Sequence, residues 1–363
     1  MTFGLKFLMA FFVLVSLSCS AGAAAKSTVA WNYTLPDRVN SIAVLNDSIY
    51  VGCEDSSVYA IGRNGRLLWT YQTGGSVKSV YADENSVIAG STDGFIYSVD
   101  RNGNVSWMRH IQYYVGYSNA IHKSGKETAV GSADGSLYTF DENGGFLWHY
   151  KTDSYVIAVR IVNGNVVAVS DRKIYILDSK GTVIKSVDTN TYITSAYITD
   201  DYVAVNIEGD KLSLFDISGD FLWNYSEKDF FGPIYATNDS IVVGSRNGGL
   251  YYFLINGTLK WRQNLYKSVV SVYSGAGYVA GSSLGHVLYF YDTQGTLREV
   301  YSLNRYATAI NGDKKMMLAG TAGGELHAIE FQEKNQLMSA FAVVIMILVI
   351  LSAVFLLTKS WSE

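Results

Sequence analysis

Tryptophan recurs along this chain at a fixed interval, and that interval limits the folds open to it. Trp31, Trp69 and Trp107 stand 38 residues apart, Trp148 follows 41 residues later, and Trp223 and Trp261 are again 38 apart. Lys185 and Glu299 fill the two places where the interval asks for a further Trp. Four residues before each position from the second onward is a glycine: Gly65, Gly103, Gly144, Gly181, Gly219, Gly257 and Gly295. A second motif keeps step with the first, as IAGSTDGFIYSVD (88–100), AVGSADGSLYTFD (129–141), VVGSRNGGLYYF (242–253), VAGSSLGHVLYFYD (279–292) and LAGTAGGELHAIE (318–330), with weaker copies at Val51, Ala168 and Ala204. Val29 to Phe331 spans 303 residues, eight lengths of this repeat. A period of this size belongs to propeller blades, each a supersecondary unit that buries its faces only against its neighbours.

Each repeat reads as four strands. SVKSVYA (76–82) is an inner strand, SVIAG (86–90) a second, FIYSVD (95–100) a third and VSWMR (105–109) a fourth. Asp93-Gly94 and Asp134-Gly135 mark tight hairpins between the second and third strands, because these residues tolerate positive φ. The chain starts its repeats on a fourth strand, VAWNY (29–33), and ends them on a third, ELHAIEF (325–331). The N-terminal strand therefore completes the last blade and closes the ring, which removes an open sheet edge. The expected fold is all-β: an eight-bladed propeller of 38-residue, four-stranded blades over residues 26–331, with one C-terminal transmembrane helix. The 41-residue interval places its extra residues between Tyr114 and Ala129, around His122–Lys126, past the start of an inner strand.

Composition agrees. The chain of 363 residues has 34 Gly and 27 Tyr against 2 Pro, which suits short strands and tight turns. A hydrophobic share of 48% with 17% charged residues excludes disorder. Two cysteines exclude a disulfide scaffold. A net charge of −4 argues against nucleic acid as a partner.

The two ends read differently. Residues 1–25 have the form of a secretory signal: Lys6, an apolar run from Phe7 to Leu17, then small residues from Ala21 to Ala25. An uncleaved anchor is the alternative reading of the same segment. Residues 332–336 form a short tether to Leu337–Leu357, 21 residues without a charge and long enough to span a bilayer. Residues 358–363, with Lys359 and Trp361, form a cytoplasmic tail. This arrangement makes a single-pass membrane protein with its propeller outside the cytoplasm.

YAIGRNGRLLWTY (59–71), FDENGGFLWHY (140–150) and FDISGDFLWNY (215–225) resemble the repeat of quinoprotein-type propellers, roughly Ala-hydrophobic-Asp-x-x-x-Gly-x-x-x-Trp. The resemblance covers about residues 29–331. It implies that Trp31, Trp69, Trp107, Trp148, Trp223 and Trp261 pack between blades. That family holds quinone-dependent dehydrogenases and non-enzymatic scaffolds such as the outer-membrane β-barrel-assembly lipoprotein. The dehydrogenases are longer and typically carry adjacent cysteines and Ca²⁺ ligands on inserted loops. This chain has only Cys53 beyond its signal, in the column of Ser91, Ser132 and Ser245, where it reads as a buried substitute for Ser. The resemblance therefore points to the scaffold branch.

Chemistry is sparse. His110, His122, His149, His286 and His327 have no metal-ligand spacing, and His327 falls in the third-strand column of Tyr59, Tyr97, Tyr138, Tyr175, Tyr251 and Tyr289. Asp93, Asp134 and Asp171, and Asp100, Asp141, Asp178, Asp216 and Asp292, recur where turns need them. No catalytic residue, metal or cofactor is expected. Sequons begin at Asn32, Asn46, Asn104, Asn224, Asn238 and Asn256; surface glycans and turn chemistry are both open readings. Small residues Ser41, Ser79, Ala158, Ser195, Ser271 and Ala309 fit crowding at the propeller axis.

One column is left without a structural reason. Where a fourth strand crosses to the next inner strand stand Arg38, Ser76, Tyr114, Tyr155, Tyr192, Phe230, Ser268 and Tyr306, with Tyr113, Tyr117, Phe231 and Tyr266 nearby. Aromatics ringing one face make good binding anchors; packing that plugs the channel mouth is the alternative. The expected function is a membrane-anchored, non-catalytic module that binds a protein or envelope component. The alternatives are a quinone-dependent dehydrogenase and an accessory subunit of a larger membrane assembly. Whether a small molecule also binds stays open.

Overall fold

Branched and aromatic residues alternate through each repeat, and glycine supplies the positive φ that the hairpins require. The consequence is visible in a computed structural model, which describes residues 27–208, 211–229 and 231–331. Among the described residues, thirty-two strands form eight four-stranded sheets. One blade shows the pattern: Val77–Ala82, Val87–Ser91, Phe95–Val99 and Val105–His110 pair in chain order, antiparallel throughout. Gly94, at φ +84°, makes its central hairpin.

The last blade is built from both ends of the repeat region. Its order is Ser27–Thr34, Glu325–Phe331, Met316–Thr321, Ala307–Gly312. The seam with the first blade is hydrogen-bonded, by Thr308 Oγ1 to the Val39 carbonyl at 2.5 Å and by Asn311 Nδ2 to the Ile42 carbonyl at 2.8 Å. Arg63 and Asp313 form an ion pair across the same seam. The described residues contain no helix long and apolar enough to cross a membrane. The expected signal (1–25), tether and span (337–357) lie outside the described residues.

Blades stack through their apolar faces. Ile157, Val167, Val169 and Ile176 of one blade pack with Ile193, Val203, Val205 and Phe215 of the next. The glycine of the IAGS motif has a steric cause. Several inner strands open with a buried valine that sits on the preceding blade. A Cβ at Gly320, Gly131 or Gly244 would come 2.2, 2.4 and 2.4 Å from Val39, Val156 and Val269, closer than side chains approach. Where this column holds Ser282, the next strand opens with the smaller Ala307, whose N–H donates to the Ser282 hydroxyl at 2.9 Å.

The three extra residues fall within the expected interval from Tyr114 to Ala129, but ahead of His122–Lys126 and before the inner strand starts. Val80 pairs with Ala89 and Ile121 with Val130, so the two inner hairpins have the same span. The insertion is in the crossover 111–120, ahead of the strand Ile121–Ser124. The crossover turns inward there. Val115 takes the place of the opening valine against Gly90, and the next residues continue toward the axis.

Candidate functional site: the crossover face and the axial channel

The loops divide into two sets. Crossovers between blades share one face with the turns between second and third strands: Thr92 N–H donates to Ser76 O at 2.9 Å, and Ala133 N–H to Tyr114 O at 2.8 Å. The other turns share the opposite face, as in Ile217 N–H to Asp201 O at 2.9 Å.

The six repeat tryptophans join neighbouring blades. Each indole lies against a positive-φ glycine of the next blade, Trp31 on Gly65, Trp69 on Gly103, Trp107 on Gly144, Trp148 on Gly181, Trp223 on Gly257 and Trp261 on Gly295. Each Nε1–H donates to a carbonyl in that same turn, from 2.6 Å for Trp31 to Arg63 to 3.3 Å for Trp261 to Thr293. Where Lys185 replaces Trp, its ammonium instead meets Asp220 of the next blade at 2.5 Å.

The recurrent aspartates serve loops. Asp100 accepts the N–H groups of Asn102 and Asn104, both at 2.8 Å, and Asp178 does the same for Lys180 and Thr182 at 2.9 Å. Asp93 ties a turn to a crossover, accepting Gly74 N–H at 2.8 Å and the Tyr97 hydroxyl at 2.6 Å. Tyr175 and Tyr251 reach crossover carboxylates instead, Asp153 at 2.9 Å and Asp229 at 2.6 Å. Cys53 donates to Asp37 O at 3.2 Å, the bond that Ser91 makes to Gly75 O at 2.9 Å. Burial pushes its thiol up to about 12, which keeps it an unreactive thiol.

The crossover aromatics gather into two groups. Tyr113 and Tyr114 are 4.6 Å apart, and Tyr117 stacks on Tyr155 at 5.5 Å. On the next blade the Arg172 guanidinium lies 4.3 Å from the centre of the Tyr192 ring and donates to its hydroxyl at 2.5 Å. Tyr113, Tyr117 and Tyr192 are exposed by 51%, 38% and 44%, while Tyr114 and Tyr155 are half-buried behind them. The second group has Tyr306 facing His286 at 6.3 Å, with Leu284 and Tyr266 exposed on the same side. Tyr266 is 79% exposed and holds φ +63°, a left-handed conformation that costs a tyrosine roughly 1–2 kcal/mol. Phe230 lies outside the described residues, and Phe231 opens the strand Phe231–Ala236.

All six sequon asparagines are exposed. Asn46, Asn104, Asn238 and Asn256 lie on turns of the face opposite the crossovers, and Asn32 and Asn224 on outer strands. The Asn32 side-chain oxygen contacts His327 Nδ1 at 2.8 Å, across the closing strands.

The axial channel holds a cavity of about 520 Å³. Its crossover end is narrowed by the insertion. Ser79 Oγ donates to Ser118 O at 2.8 Å, Val159 N–H donates to Asn119 O at 2.9 Å, and Asn119 bridges to Ala158 as a short parallel contact. Inner strands bulge at one position, as between Val77 and Ser79 and between Val269 and Ser271, which turns a side chain into the channel mouth. Ser271 Oγ ties its strand to Ala307 O at 2.9 Å, so the small axial column links blades as well as relieving crowding.

At the other end a ring of larger groups faces the axis: Tyr81, His122, Arg160, Tyr197, Tyr235 and Asn311. The repeat motif does not mark it. The signal was present, because these residues stand two positions past the small column, as Ser79 to Tyr81 and Ser195 to Tyr197, hence on the same strand face.

These features define an all-β, eight-bladed propeller of four-stranded blades. Residues 19–129 match the family described as outer membrane protein assembly factor BamB, and residues 86–209 match the lambda-carrageenase beta-propeller domain. Among solved structures, BamB from Moraxella catarrhalis is similar at 18% identity and TM-score 0.73, over 86% of this chain and 99% of that one. The computationally designed Ika8 protein matches at 16% identity and TM-score 0.75, over 82% of this chain and 98% of its own. Sqt1 from Saccharomyces cerevisiae matches at 12% identity and TM-score 0.73, over 83% and 98%. No curated protein matches the sequence.

Proposed function

We propose that this protein is a membrane-anchored, extracytoplasmic propeller that binds a protein or envelope component on its crossover face, without catalysing a reaction on it. The apolar segment 337–357 is its anchor. The observation that carries the reading is the exposed aromatic group Tyr113, Tyr117 and Tyr192, seated on half-buried Tyr114 and Tyr155 and on Arg172. Large rings held in place at low entropic cost, beside a guanidinium, are the residue types that dominate interfaces. The titratable groups of the repeat are occupied in holding loops, as Asp93, Asp153 and Asp229 show. The likeness to the BamB family supports a scaffold role.

The test is recovery of partners from the native membrane with Tyr113, Tyr117 and Tyr192 replaced together by Ala. Exposed side chains of this kind leave stability within ~1 kcal/mol, so the fold is retained. Loss of the recovered partners is expected, by about tenfold or more. Unchanged recovery would remove the aromatic face from the account.

A further inference from the structure

We infer that the axial cavity is a binding site for a small acidic saccharide, entered from the face opposite the crossovers. This goes beyond the docking reading and concerns the channel interior, which shares only Tyr117 with the docking group.

The cavity has one narrowed end. Tyr117, Ser118 and Asn119 line it where the insertion reaches inward, tied to Ser79 and Val159 of the two flanking blades. At the other end the inner strands carry large side chains at one register position: Tyr81, His122, Arg160, Tyr197, Tyr235 and Asn311 line the cavity, and Ala43 takes the same position in the first blade. Alanine in a ring of larger groups leaves a gap there. The volume of about 520 Å³ is at the lower part of the range of small-ligand sites.

The chemistry of the ring is rich in donors. Arg160 gives its Nε and Nη2 edge to Asp200, at 2.9 and 2.8 Å, and its Nη1 has no protein partner among the described residues. His122 Nδ1 accepts the Ile161 N–H at 3.2 Å, so the neutral ring carries its proton on Nε2. Burial, followed by the nearby Arg160, holds its pKa down at about 4, and the ring is neutral at pH 7. The field of Arg160 also reaches Tyr81, Tyr197 and Tyr235, which places the guanidinium among the rings. Tyr81 and His122 lie 5.0 Å apart and Tyr197 and Tyr235 4.7 Å apart, giving aromatic faces on two sides. The N–H groups of Arg160 Nη1 and the His122 Nε2–H suit a carboxylate. Aromatic faces suit the C–H side of a sugar ring, and deeper in Ser195 lines the cavity with Ser271 and Thr308, whose protons go to Ala307 O and Val39 O and whose oxygens remain as acceptors.

The experiment uses the full-length protein in detergent, titrated with sodium glucuronate, glucose and sodium acetate, and read by saturation-transfer NMR and by tyrosine fluorescence. Glucuronate is expected to bind saturably, with glucose and acetate each weaker by about tenfold or more. Arg160→Gln should weaken glucuronate by a similar factor and leave glucose unchanged. Ala43→Phe, which fills the gap in the ring, should abolish binding of all three. If Arg160→Gln does not fold, Tyr235→Phe keeps the ring, removes one hydroxyl and should weaken glucuronate severalfold. The inference is overturned by no saturable binding of glucuronate, by equal affinity for acetate, or by affinity unchanged in Arg160→Gln.

Discussion

Single residues in this ring are placed by what touches them in the next blade. Trp69 illustrates it: its indole covers Gly103 and its Nε1–H donates to Arg101 O at 2.9 Å. Replacing it by Ala leaves a cavity and an unpaired carbonyl, and a loss of about 3–5 kcal/mol is expected in chemical denaturation. Lys185 holds the same repeat position but works through an ion pair with Asp220, whose side chain is 71% exposed. Lys185→Ala should therefore cost under ~1 kcal/mol. Equal losses at the two sites would show that the repeat position, and not the indole, sets the stability. His122 gives a pH prediction. Its pKa is lowered from 6.5 to about 4 in the folded protein, beside Tyr81, Arg160 and Asp200. The unfolded chain binds its proton first, so folding stability is present above pH 6.5 and is lost as pH falls toward 4. The full loss is about 3 kcal/mol. His122→Gln should flatten the denaturation midpoint over that window relative to the parent; an unchanged pH slope would contradict the assignment. Glu54 acts mostly below that window: burial pushes its carboxyl up, but hydrogen bonds from Lys78, Asn40 and Ser76 outweigh this and hold it at about 2, so its contribution is lost as pH falls from 4.5 toward 2.

At the scale of the strand and turn, the pattern IAGS is a contact rule between blades. Gly131 faces Val156, and a Cβ there would stand 2.4 Å from it. Gly131→Ala should destabilise by roughly 1–3 kcal/mol, and the double variant with Val156→Ala should recover part of that loss. No recovery in the double variant would mean that the glycine serves its own backbone. The strands and turns were legible in the sequence because each follows from a local rule: Asp-Gly hairpins, alternating apolar positions, and one Trp per repeat. The inner-strand limits, such as Val77–Ala82 against the expected 76–82, differ by one residue. The insertion was not legible in the same way. Counting between tryptophans locates three extra residues to an interval, while only pairing of Ile121 with Val130 shows that they fall in the crossover. The Tyr81 to Asn311 ring was hidden for a related reason: its members differ in chemistry from blade to blade, and a repeat search registers what stays the same.

For the whole molecule, closure and facing matter more than any blade. Removing residues 27–34 takes the outer strand from the last blade and exposes the edge of Glu325–Phe331. Loss of cooperative unfolding and self-association of the truncated protein are expected, read by sedimentation, because an unpaired edge invites pairing with another chain. A monomer that unfolds as the parent does would show the ring to be closed without it. The two faces have different characters. The crossover face carries the exposed Tyr113, Tyr117, Tyr192 and Tyr266, and the opposite face carries the sequon turns at Asn46, Asn104, Asn238 and Asn256. The repeat explained most of the tyrosine excess as packing, and the structure divides the remainder between one exposed face and the channel. Binding on the crossover face is tested most directly by site-specific photocrosslinking in the native membrane, with a benzoylphenylalanine placed at Tyr192 or at Asn102 on the opposite face. Discrete adducts are expected from position 192 and none of the same mass from position 102; the same adducts from both positions, or from 102 alone, would contradict binding on the crossover face.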